Sequence, residues 1–292
     1  MSEVWLPLAL IAVCLYGTSQ VAQKFALNEV PAPSMVTLSL IIAIPIYTIC
    51  LLPYLVSGEI LEVNWQTMLF ALAAAAFGQI GYYTYLEAAE RGPISLVGSV
   101  TASYPMMVVV VAILFLSEAP TIVQLFGVFL VTASMVVLTY IHGGRGAASR
   151  LSGGYFMLCI VTLLLWGFWA IFTKVSLDDM PALLFLGLYA IVIGPITLAY
   201  YNYKGLRMRD VVPSWSVALI IAIIASEVAN LAFFCEITAA SLGPASIVFP
   251  LVAASPVVVV VLAFLFLRER LSRKEWMLIT AVMIGIVLVS TV

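Results

Sequence analysis

Long apolar stretches alternate with short polar breaks along the whole chain. Ten of these stretches approach the roughly 20 residues that a helix needs to cross a hydrocarbon core. They run over 4–26, 33–56, 65–88, 94–116, 121–141, 154–176, 180–203, 215–240, 244–267 and 273–292. Runs such as Val108–Leu116 and Val257–Leu267 are continuously apolar. A closed β-barrel would alternate residue by residue in shorter segments, so the pattern predicts helices. The first stretch has no basic leader and no small-residue cleavage site, and it reads as a span rather than a removable signal. The longest breaks, near 142–153 and 203–215, leave no room for a separate soluble domain.

Composition agrees with the pattern. Apolar residues make up 64% of the 292 positions and charged residues 9%, too few to cover a water-facing surface. The chain is therefore expected to be an all-α, multi-pass integral membrane protein with the lipid bilayer as its solvent. The four cysteines, Cys14, Cys50, Cys159 and Cys235, fall inside apolar spans at unrelated spacings, which supports neither a disulfide nor a metal site.

The two halves of the chain repeat one another. An offset of 150 residues pairs Gly17 with Gly167, Lys24 with Lys174 and Pro45 with Pro195. After a slip of one residue, Gly92-Pro93 pairs with Gly243-Pro244, Pro105 with Pro256 and Glu118 with Glu269. Helix breakers and membrane-end charges do not recur freely in apolar helices, so shared hydrophobicity does not explain these matches. The expected division is 1–142 for the first five-helix repeat, 143–153 for a connecting loop and 154–292 for the second repeat. Five is odd, so the second half enters the membrane from the opposite side. Ten transmembrane helices as two inverted five-helix repeats are a recurring design of secondary transporters, in which two related halves exchange conformations around a central site.

These residues also carry a resemblance. The aromatic-Gly steps Tyr16-Gly17 and Trp166-Gly167, the following lysines, the Gly-Pro steps opening spans 4 and 9, and the endings Phe115-Leu116-Ser117-Glu118 and Phe266-Leu267-Arg268-Glu269 are similar to EamA-type members of the drug/metabolite transporter superfamily. The resemblance covers the whole chain. It implies a basket of ten helices with a central cavity lined mainly by spans 1, 3, 4, 6, 8 and 9. It also implies termini on the cytoplasmic side, and here the charges disagree. Odd-numbered loops and their flanks hold Lys24, Arg91, Arg145, Arg150, Lys204, Arg207, Arg209, Arg268, Arg270, Arg273 and Lys274, whereas the opposite side holds only Lys174. Basic residues are retained in the cytoplasm, so this chain's own charges place both termini outside the cell membrane (the inner membrane in a bacterial cell).

Polar side chains inside the spans mark candidate sites, because an ionisable group at the bilayer centre costs at least about 2.5–3.5 kcal/mol. Glu227 lies near the middle of span 8, with Asn230 at i+3 and Phe234 at i+7. It is expected to bind a cationic group or to exchange the coupling proton; the plainer alternative is a neutral acid joining helices. In span 3, Gln79, Tyr82 and Tyr83 share one face, and Gln79 is the repeat mate of Asn230. Trp166 and Trp169 in span 6, with Tyr16 and Gln20 in span 1, complete the expected cavity walls, although tyrosines also serve as interfacial anchors. Aromatic faces with a carboxylate suit an amine or the ammonium of an amino acid. Lys24 and Lys174 are expected either to gate the site or to snorkel from helix ends. Glu87 and Glu236 read as acids near span ends within reach of water, Glu236 the deeper, and Glu118 and Glu269 as structural.

Other classes fit less well. The single histidine, His142, and the aspartates Asp178, Asp179 and Asp210 all fall in or beside loops, which removes the groups of an intramembrane protease. No phosphate-binding glycine loop or ring of charge supports an ATP-driven pump or a channel. The expectation is a secondary-active, alternating-access carrier of a small amphipathic metabolite, without cofactor, metal or nucleic acid, as a monomer or homodimer. A lipid or lipid-linked sugar flippase and a sugar-phosphate exchanger are the alternatives.

Overall fold

The computed structural model describes residues 4–26, 29–91, 101, 103–142, 153–207, 211, 216–267 and 272–289. Within them the chain is helical: α1 (Trp5–Ala26), α2 (Ala32–Ser57), α3 (Trp65–Arg91), α4 (Tyr104–Phe115), α5 (Ile122–His142), α6 (Gly153–Leu177), α7 (Ala182–Lys204), α8 (Val217–Leu242), α9 (Ala245–Val252), α10 (Ser255–Leu267) and α11 (Arg273–Val289), with one 3₁₀ turn at Glu59–Leu61. A helix satisfies every backbone N–H and C=O within its own segment, which hydrocarbon demands. Six stretches are long and apolar enough to span a membrane: Trp5–Gln23, Pro33–Ser57, Trp65–Ala88, Gly154–Leu177, Ala182–Lys204 and Val217–Leu242. Four shorter apolar stretches, Tyr104–Phe115, Ile122–Ser134 within α5, Ala245–Val258 across α9 and α10, and Trp276–Val289, bring the apolar helical stretches to ten. Large apolar side chains such as Val56, Leu114, Ile122 and Val217 stand exposed on the outer surface, where lipid replaces water as solvent.

Local chemistry sets the helix ends. Gly58 and Gly205 stop α2 and α7 in the left-handed region, at φ 80° and 65°, where a Cβ would be strained. The Ser216 hydroxyl accepts the Leu219 N–H and caps α8. The span expected unbroken over 244–267 is instead divided into α9 and α10, with the break at 253–254. Pro256 lacks an N–H and its ring crowds the carbonyl four residues back, which accounts for the interruption. The connecting loop expected at 143–153 lies outside the described residues except for Gly153.

The helices pair across the repeat. In the α2–α7 pair, Leu51 meets Gly187, and the Thr37 and Tyr201 hydroxyls bond at the opposite end. In α1–α8, Trp5 covers Gly243 and the Ser19 hydroxyl donates to the Ala225 carbonyl. In α3–α6, Trp169 meets Gly78, Trp166 meets Gly81 and Thr84 bonds Thr162. In α5–α11, Gly127 meets Gly285. Each pair runs antiparallel. Exchanging the halves turns the α1–α8 contact into the α3–α6 contact and returns the other two pairs to themselves. The two-fold axis thus lies across the helices, in the membrane plane, and the five-helix repeats are inverted. Glycine permits these crossings: a Cβ at Gly187 would sit 2.8 Å from the Leu51 Cα, and one at Gly127 would sit 2.8 Å from the Gly285 oxygen.

Two faces of the bundle follow. The odd face is where α1, α3, α5 and α7 end; the even face is where α2, α4, α6 and α8 end.

Candidate functional site

Where the repeats meet, the helices enclose a cavity of about 340 Å³, a size that suits a small organic molecule. Its walls are aromatic: Tyr16, Tyr47, Tyr82, Tyr85, Tyr104, Trp166, Trp169, Tyr189 and Phe233. The Trp166 and Trp169 rings seat on α3 only because Gly81 and Gly78 lack side chains; a Cβ there would lie 2.6 and 2.8 Å from the indole carbons. Trp169 packs edge-on against Phe249 at 5.5 Å and donates its indole N–H to the Tyr189 hydroxyl at 2.8 Å. Tyr189 meets Phe233 at 5.0 Å. That hydrogen bond ties off the Trp169 indole N–H, and the aromatic rings line the cavity.

Polar atoms enter at few points. The Tyr47 hydroxyl donates to Asn230 Oδ1 at 2.9 Å, and Gln20 Nε2 donates to the Ser255 hydroxyl at 3.3 Å. Glu236, only 2% exposed, accepts a 2.7 Å hydrogen bond from the Tyr16 hydroxyl. It is the one acid among the described lining residues, and those residues include no lysine or arginine.

The cavity reaches from the bundle centre toward the odd face, where Gln23 and Tyr85 line it near the ends of α1 and α3. Glu236 marks the blind end, ~9 Å of helix rise from the end of α8 at Leu242. Below it the even face is sealed by three contacts. Trp5 covers Gly243. Lys174 donates to the Ala240 and Gly243 carbonyls at the C-terminus of α8, both at 3.4 Å, and pairs with Asp178 at 3.1 Å. Glu118 accepts the Ala245 and Ser246 N–H groups at 2.7 and 2.9 Å, and also the Ser246 hydroxyl, capping α9 from the other repeat. Ser117, at φ 55°, turns the chain so that Glu118 points there. On the odd face Glu87 ties α3 to α7 through Lys204 and a 3.0 Å bond from the Tyr200 hydroxyl, with Arg91 at 3.1 Å.

Six of the nine expected binding residues line this cavity: Gln20, Gln79, Tyr82, Trp166, Trp169 and Asn230. Three do not. Tyr83 is buried against α7, bonded to the Thr197 hydroxyl. Glu227 and Phe234 are exposed on the outer surface of α8, in one stripe with Val217, Ile220, Ile224 and Leu231. At about 100° per residue, Glu236 stands two and a half turns from Glu227 and faces the opposite way. Only one of the two can face inward, and Ser226, Ala229 and Phe233 turn with Glu236. Lys174 belongs to the even-face seal rather than the cavity, and the side chain of Lys24 lies outside the described residues, as does Glu269. Glu87 and Glu236, expected within reach of water, are both buried, at 6% and 2% exposed. Spans 2 and 7 also contribute, through Tyr47 and Tyr189, beyond the six spans that the resemblance implied.

The model of the EamA-like transporter family matches the chain twice, over residues 3–140 and 153–291. A solved crystal structure of a protein is similar over 99% of this chain and 97% of its own, with a TM-score of 0.77 at 14% identity, a likeness of fold alone. No curated protein matches the chain.

Proposed function

We propose, from the premise that the chain belongs to the EamA-like transporter family, that this multi-pass membrane transporter carries small amphipathic organic cations, amines or amino acids, by alternating access. The family is one of transporters and not of enzymes. The observation that carries the substrate reading is Glu236, a lone carboxyl at the blind end of an aromatic cavity. A cation over the face of a Trp or Tyr ring gains about 0.5–1 kcal/mol when exposed and about 2 or more when desolvated. With Trp166, Trp169, Tyr104 and Tyr189 around it, a buried ammonium can meet several ring faces and one counter-charge. The absence of lysine and arginine among the described lining residues weighs against sugar phosphates, which need basic partners.

Coupling follows from competition for one group. A carboxyl that holds either a proton or a cation exchanges one for the other as the cavity changes sides. The role first expected of Glu227 thus passes to Glu236. Lys174 takes the gating part: its bonds to the α8 carbonyls must break for the even face to open. The charge distribution supports an odd face in the cytoplasm with both termini outside, and the repeated positions support halves at 1–142 and 154–292 joined by a loop at 143–153.

The test is a thermal-shift screen of purified protein against amines, amino acids and sugar phosphates, followed by uptake into proteoliposomes. Amines are expected to stabilise the wild type, and Glu236→Gln to abolish both that stabilisation and proton-driven uptake. Stabilisation by sugar phosphates alone, or an unchanged Glu236→Gln variant, overturns the reading.

A further inference from the structure

Glu227 takes no part in the cavity, yet it stands in the middle of a transmembrane helix. It lies ~15 Å of helix rise from the start of α8 at Val217 and further still from Leu242, so its carboxylate cannot reach either interface. Its neighbours along the exposed stripe, Ile220, Ile224, Leu231 and Phe234, are apolar. It makes no hydrogen bond or ion pair among the described residues. A bilayer-facing ionisable group at this depth is costly, and packing does not require it.

The position is specific in one respect. Asn230, one turn further along α8, accepts the Tyr47 hydroxyl of α2, and both residues line the cavity. Glu227 stands one turn before Asn230, about 60° around α8 from it, on the lipid side of the same seam between α2 and α8. One polar line therefore runs from the bilayer at Glu227, through the Tyr47–Asn230 bond, into the aromatic cavity. The repeat supplies a control. In the related seam between α7 and α3, Gln79 stands for Asn230, the position of Glu227 is Ala76, and the Tyr83–Thr197 bond closes the gap. Of the two related seams, one bears an acid toward lipid.

We propose that the α2–α8 seam is a portal through which lipophilic cations enter from the bilayer. Glu227 receives the cationic group, and parting of Tyr47 from Asn230 admits it to the cavity. A cation with a hydrocarbon tail is concentrated in the bilayer, and an acid there supplies the counter-charge that the hydrocarbon withholds. This rests on the cation reading of Glu236.

The experiment compares two cations with the same head group, octyltrimethylammonium and tetramethylammonium, in uptake into proteoliposomes. In Glu227→Gln the ratio of initial rates, long-tailed over short, is expected to fall about tenfold, as for loss of one steering charge. Octyltrimethylammonium should also slow modification of Glu227 by dicyclohexylcarbodiimide, read by mass spectrometry of its peptide. An unchanged ratio overturns the portal. An unchanged ratio together with loss of a dimer in subunit counting overturns it in favour of a self-association surface. The parent reading fails separately: if Glu236→Gln takes up both cations like the wild type, or the wild type takes up neither, it is the cation assignment that falls. Glu236→Gln inactive with an unchanged Glu227→Gln ratio defeats the portal alone.

Discussion

Replacing Glu118 by alanine should open the even face. The Glu118 carboxylate joins the end of α4 in one repeat to the start of α9 in the other through two backbone N–H donors and the Ser246 hydroxyl. Hydrogen bonds to charged groups contribute about 1.5–3 kcal/mol each, but Glu118 is only half-buried and water can take its place in part. Loss of an N-cap alone costs about 0.5–2 kcal/mol. A net loss of about 2 kcal/mol from the sealed state is a fair working value, equivalent to a ~30-fold rise in the even-open fraction where that fraction is small. The assay is the labelling rate of a single cysteine at Phe233, in a background lacking the four native cysteines, by a membrane-impermeant maleimide applied from the even side. Glu118→Ala should raise that rate by about 10–30-fold, and Glu118→Gln, which keeps one acceptor oxygen, by less. A lowered melting temperature with an unchanged labelling rate would refute the reasoning, because the cap would then stabilise the fold without sealing a gate.

Three further outcomes are expected. Gly187→Val places carbon against the Leu51 backbone, where even a Cβ would come within 2.8 Å, and should cost about 1–3 kcal/mol, read as a lower melting temperature in detergent. Lys204→Ala leaves the buried Glu87 with Tyr200 and the half-exposed Arg91 alone, and should cost about 1–2 kcal/mol, with Glu87→Gln restoring part of the loss in the double variant. A reporter fused to the C-terminus should be active only outside the cytoplasm; cytoplasmic activity would reverse the faces assigned from the basic loops.

Much of the fold was legible because its signals are additive along the chain. Apolar length marks each span regardless of which way the helix is rotated, and the paired positions Gly17/Gly167 and Pro105/Pro256 mark the repeat regardless of packing. The even-face cap was half legible. Glu118 and Glu269 stood out as repeat mates, yet nothing in their spacing says that Glu118 reaches the α9 N-terminus of the opposite repeat. The break between α9 and α10 was available from Pro256 but was outweighed by the unbroken apolar run around it.

The site was less legible because rotation of a helix about its axis leaves its hydropathy unchanged. In a soluble helix the polar face turns outward and fixes the phase. In a membrane both faces of α8 are apolar, so hydropathy leaves the phase to a few polar residues, and Glu227 and Glu236 contradict each other by half a turn. Depth favoured Glu227. Small residues favour Glu236: Ala218, Ala222, Ala225, Ala229, Ala232, Ala239 and Ala240 follow the side of α8 that packs on α1 or faces the cavity, whereas Ile220, Ile224, Leu231 and Phe234 follow the outer side. Helices approach closely through small residues and meet lipid through large ones. Glu236 belongs to the alanine side and Glu227 to the isoleucine side. That contrast, written in residues without charge, is what sets the inner acid apart from the one that faces lipid.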